Sequence, residues 1–180
     1  MNSYTSKNGI QVFVHPTGSH PHRFDILGEA ISLINIPDDR GYYKETVDLG
    51  RVIGFDHLVE LNDDAMVYEM HRPIFNEDGT IKDYRKGTSP MVLNQLPNET
   101  SRVTVVMCVD RDPDELQGKW CIITLFEGEE GEPEPWNDRV KNDPAQLAKS
   151  IAFFATHGFV PTEREWPVIA RELFSKLGNK

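Results

Sequence analysis

Apolar residues fill nearly every position of Val103–Val109 and of Lys119–Phe126, and a polar segment with Pro113 and Gly118 separates the two runs. Such runs, bounded by turn residues, read as β-strands. Because both alternating sets of positions are apolar, both faces of each strand are expected to be covered. The pattern predicts an antiparallel hairpin, Ser101–Gly128, in the interior of a sheet, with a long acidic loop at its tip.

The period changes elsewhere. Phe24, Leu27, Ala30, Ile31 and Ile34 recur at spacings of three and four, which predicts one apolar face of a helix over His22–Ile34. Pro37 and Asp38-Asp39 are expected to stop it. Ile10–Val14 reads as a short first strand. Phe55–Leu61 and Ala65–His71 read as a second hairpin turning at Asn62-Asp63-Asp64. Weaker strands over Arg72–Lys86 flank the turn signal Asn76-Glu77-Asp78-Gly79, and Met91–Leu93 is a further short strand. Glu127–Pro135, rich in proline and like charges, reads as a connector.

Two helices are predicted after it. Asp143-Pro144 resembles an N-cap followed by proline at the first helical position, opening a helix to His157. Thr162 and Glu165 have capping-box spacing, opening a second helix over Thr162–Leu177. Packing of this pair is expected through Leu147, Ile151, Phe154, Trp166, Ile169 and Leu173. The fold class is therefore read as α+β: an antiparallel sheet with an N-terminal helix and a C-terminal helical pair. Residues 1–180 are read as a single domain, with a helix-plus-sheet core over 1–128 and the helical pair over 143–177.

Charge narrows the function classes. The net charge is −10, and Asp110–Asp143 alone carries −7, which leaves −3 for the rest of the chain. This balance argues against a broad phosphate-binding surface. No apolar run approaches the roughly 18 residues of a membrane span, and the first residues lack a signal-peptide pattern, so a cytoplasmic protein without membrane contact is expected. Cys108 and Cys121 fall on the two strands of the central hairpin and are expected to be reduced core thiols.

Candidate chemistry rests on histidine and arginine. His15, His20 and His22 lie within eight residues, with Asp25 near in sequence, but their spacing matches no zinc signature, and no metal or cofactor is expected. His22, at the start of the first helix, suits proton transfer near neutral pH. His57 and His71 lie on predicted strands, and His71 precedes Arg72, whose planar fork suits a phosphate. Arg102 starts a strand of the central hairpin, and Thr124 places a hydroxyl among Trp120, Ile122 and Phe126 on the other.

An early helix with nearby histidine, the strand VTVVM (Val103–Met107) and the closing IITLFEG (Ile122–Gly128) resemble the RelE, barnase, EndoU and colicin class of toxin ribonuclease domains. The resemblance covers His15–Gly128. It implies a small α+β fold and metal-independent RNA cleavage. His22 would transfer protons, Arg72 or Arg102 would clamp the phosphate, and Thr124 would contact it, with Arg102, His71 and His57 as substrate-binding candidates. The acidic balance supports an alternative: a non-catalytic immunity- or antitoxin-like protein that steers a basic protein partner by complementary charge.

Overall fold

The computed structural model describes residues 2–38 and 41–178. In chain order the strands are β1 (Ser3–Thr5), β2 (Gln11–Val14), β3 (Tyr42–Asp48), β4 (Gly54–Asp56), β5 (Leu58–Glu60), β6 (Val67–Phe75), β7 (Ile81–Val92), β8 (Asn98–Thr100), β9 (Arg102–Val109), β10 (Trp120–Glu127) and β11 (His157–Phe159). The helices are α1 (Leu27–Ser32), preceded by a 3-10 turn at Phe24–Ile26, α2 (Pro144–Phe154) and α3 (Trp166–Gly178). The fold is mixed α+β. Among the described residues no helix is long and apolar enough to cross a membrane.

The chain forms two compact units: Met1–Asp56 with Glu99–Glu130, and His57–Asn98 with Gly131–Lys180. The predicted 1–128 core therefore spans parts of both units, and the boundary at Glu130 falls inside the Glu127–Pro135 connector.

The first unit is organised by the predicted hairpin. β9 and β10 pair antiparallel, with Cys108 opposite Cys121, in the interior of a five-stranded sheet of order β1-β2-β10-β9-β3. One face of the hairpin, Val103, Val105, Met107, Ile122 and Leu125, packs against Leu27, Ala30 and Ile31 of α1. Thr104 on the other face is also buried, and its hydroxyl donates to Gly128 O. The sheet is not purely antiparallel, because β2 pairs parallel to β10. The β1–β2 hairpin docks on the edge that β9 leaves open. The chain beyond it keeps following β10, with His20 N–H donating to Ile123 O and His22 N–H to Leu125 O.

That edge pairing also shortens the first helix. Regular α-helix begins at Leu27, not His22, because His22 is hydrogen-bonded to the sheet edge and Arg23 is extended at φ −137°, ψ 95°. At the far end, Asp39 of the predicted stop lies outside the described residues.

The second unit departs further from expectation. Its sheet has the order β5-β11-β7-β6. The hairpin is β6–β7, closed at Asn76–Thr80, where Asn76 N–H donates to Thr80 O and Gly79 takes φ +87°. The predicted hairpin across Asn62–Asp64 does not form, since β5 pairs with β11 while β6 pairs with β7. The strong turn at Asn76–Gly79 joins strands of nine and twelve residues, and this long register outcompetes the shorter pairing.

Both local helix signals hold. The Asp143 carboxylate accepts from Ala145 N–H and Gln146 N–H at the start of α2. Thr162 and Glu165 form the reciprocal capping box before α3. The expected helical hairpin is replaced by a strand–helix arrangement: His157–Phe159 enters the sheet as β11, α2 lies against β11 and α3 against β6. Ile151 and Trp166, expected at a helix–helix contact, are 55% and 47% exposed. Glycine permits the β11 strand, because a Cβ at Gly158 would meet Val92 Cγ2 at 2.7 Å.

Candidate functional site

Of the predicted site residues, the fold brings His22 and Thr124 together on the β10 edge. A register shift between Ile122 and Thr124 interrupts the pairing of β10 with β9. There the Thr124 hydroxyl donates to His20 O at 3.0 Å, so the threonine stitches the histidine-bearing segment to the sheet. The His22 side chain is exposed. Arg102, also in this unit, pairs with Glu129.

Arg72, His71 and His57 belong to the second unit. Arg72 Nε and Nη2 donate to both Glu165 carboxylate oxygens, at 2.8 and 3.1 Å, and its guanidinium lies 4.5 Å from the Phe159 ring centroid. The pair is largely buried, at 13% and 6% side-chain exposure. Burial pushes the Glu165 carboxyl pKa up, but the Arg72 guanidinium and the Thr162 hydrogen bonds more than offset it and hold the group below its ordinary value. The fork expected to meet phosphate is thus occupied by the protein's own carboxylate. Nδ1 of His71 lies 3.0 Å from Arg85 O, and Nδ1 of His57 lies 3.0 Å from Val160 O.

A constellation that sequence spacing does not disclose lies just after β2, where His15 meets carboxylates of the loop that follows β9. His15 Nε2 is 2.9 Å from Asp114 Oδ2 and 3.5 Å from Asp110 Oδ2. The second oxygen of each carboxylate is held by backbone: Asp112 N–H donates to Asp110 Oδ1 and Leu116 N–H to Asp114 Oδ1. The hydrogen bond to Asp114, with the charges of Asp110 and Asp112, raises the His15 pKa against a smaller opposing effect of burial. The same contact lowers the Asp114 carboxyl. Asp25, the carboxylate nearest the histidines in sequence, instead pairs with Arg23. The legible signal for the true partners was the alternation of Asp110, Asp112 and Asp114 directly after a strand.

Cys108 and Cys121 face one another across β9–β10, and neither is in a disulfide. Burial pushes the Cys121 thiol up to about 11 and raises Cys108 as well, which keeps both protonated and weakly nucleophilic.

Comparison with protein-family models, curated proteins and solved structures found no match.

Proposed function

We propose that this protein is a non-catalytic acidic binding protein that recognises a basic protein surface. One observation carries the reading: the cations that RNA cleavage would need are engaged by carboxylates, Arg72 by Glu165 and Arg102 by Glu129. A phosphorane needs cationic or hydrogen-bonding groups aimed at its developing charge, and an arginine sealed by a buried glutamate does not offer one. The loop between β9 and β10 instead exposes Asp112, Asp114 and Glu115. Carboxylates displayed on a loop anchored by two central strands suit charge-steered docking with a lysine- and arginine-rich partner.

The test pairs two assays. An RNA panel incubated with the purified chain should remain intact. Binding to a panel of basic proteins should select a few members, weaken as salt rises from about 50 to about 300 mM, and fall at least about tenfold on Asp112→Lys with Glu115→Lys. RNA cleavage that disappears in His22→Ala would overturn the reading in favour of the ribonuclease. Binding unchanged by charge reversal would remove the acidic loop from it.

A further inference from the structure

We propose that His15, Asp110 and Asp114 form a binding site for one divalent transition-metal ion of borderline hardness, with Zn²⁺ the best fit. One ligand atom from each residue, His15 Nε2 and a carboxylate oxygen from each aspartate, lies within 4.8 Å of the others. Two ligands sharing an ion with bonds of about 2.0–2.2 Å sit about 3.0–3.5 Å apart. The measured separations from Nε2, 2.9 Å to Asp114 Oδ2 and 3.5 Å to Asp110 Oδ2, are close to that spacing.

An independent observation points to a cation. The Asp110 side chain is only 9% exposed, yet its Oδ2 is buried and makes no hydrogen bond. Native proteins rarely leave a buried carboxylate oxygen so. Its Oδ1 is taken by Asp112 N–H, so Oδ2 is the atom left to face His15. A cation among the three atoms satisfies this oxygen and offsets the repulsion between two neighbouring carboxylates. One imidazole and two carboxylates match a borderline ion better than Mg²⁺, which holds its waters tightly. Three protein ligands leave at least one coordination position for solvent.

Binding carries a proton cost. His15 Nδ1 accepts from Thr17 N–H at 3.1 Å and Gly18 N–H at 3.0 Å, so Nε2 holds the proton of the neutral ring. A metal on Nε2 requires that proton to leave and Nδ1 to carry one, for which Thr17 Oγ1, 3.2 Å away, is an acceptor. Displacing two backbone hydrogen bonds makes the expected affinity weaker than that of a structural zinc site.

The test uses the full chain, titrated separately with Zn²⁺, Mn²⁺ and Mg²⁺ by calorimetry, with bound metal counted after dialysis. Zn²⁺ should bind at one per chain, and Mg²⁺ at least about tenfold more weakly. His15→Gln and Asp110→Asn should each weaken Zn²⁺ binding by at least about tenfold, while His20→Gln and Asp63→Asn leave it unchanged. Thermal unfolding without metal checks that each variant folds. Should Asp110→Asn fail that check, Asp114→Asn, at a more exposed position, replaces it with the same expected loss. A shift of the His15 Nε2 nitrogen resonance on adding Zn²⁺ would identify the ligating atom. Absence of saturable Zn²⁺ binding would overturn the proposal, as would equal affinity in His15→Gln, or loss in His20→Gln matching that in His15→Gln.

Discussion

The two units reach stability by different routes. In the first, α1 and the inward faces of β2, β9 and β10 make one continuous apolar cluster, in which Leu27, Ile31, Val105, Met107 and Leu125 are fully buried. In the second, the apolar clusters are two small groups, Val59 with Val92 and Val160, and Met70 with Met91 and Ile169. The second unit adds polar devices: the Arg72–Glu165 fork, the capping box at α3 and the Asp143 cap at α2. Apolar burial is non-directional and scales with area, whereas a buried ion pair depends on geometry and on both partners being present. Both units use arginine pairs, but the second unit's Arg72–Glu165 fork is largely buried, whereas the first unit's Arg23, bridging Asp25 and Glu127, is more exposed.

The comparison breaks most sharply at Leu125. Leu125→Ala should cost about 2–5 kcal/mol, because it removes a fully buried side chain from the continuous cluster. Amide exchange should show the loss in first-unit strands. A cost below about 1 kcal/mol would deny that this cluster dominates.

Glu165→Gln tests the polar route, with an expected cost of about 1–3 kcal/mol from the lost charge-assisted hydrogen bonds to Arg72. It also has a pH signature. The Glu165 pKa is lowered in the folded protein, so its contribution is present above the unfolded value of about 4.3 and is lost as pH falls through the folded value. Denaturant titrations of the wild type should show a second-unit stability loss below about pH 4.3 that is reduced in Glu165→Gln. Identical acid limbs in the two proteins would remove Glu165 as its source.

Trp166→Ala should cost only about 1–2 kcal/mol, less than the 3–5 kcal/mol of a buried tryptophan, because nearly half of this side chain is exposed. A larger loss, measured by equilibrium unfolding, would restore a packing role at the start of α3. Asp143→Ala should cost about 1 kcal/mol through the freed N–H groups of Ala145 and Gln146. The loss should be read as faster amide exchange in the first turn of α2.

Signals that act within a few residues were legible. The Asp143 cap, the Thr162–Glu165 box and the Asn76–Gly79 turn are each legible from near neighbours. The candidate site was legible only in pieces. His15 belonged to a visible histidine cluster and Asp110 and Asp114 to a visible acidic segment, but nothing local relates residues 99 positions apart. Likewise, a guanidinium suited to phosphate looks the same in sequence whether a glutamate occupies it or not, and Glu165 is 93 residues from Arg72.

The sequence by itself determined the β9–β10 hairpin, because two uninterrupted apolar runs joined by a polar loop have few places to go except the middle of a sheet. It also determined the acidic balance and the caps of α2 and α3, which depend on composition and near neighbours. Only the tertiary structure decided the partners: β2 parallel to β10, β11 as a strand between two helices, Glu165 on Arg72, and His15 between Asp110 and Asp114. Short strands and single side chains carry too little information to choose among distant partners. The choice falls to whichever open sheet edge and whichever opposite charge the folded chain brings within a few ångströms.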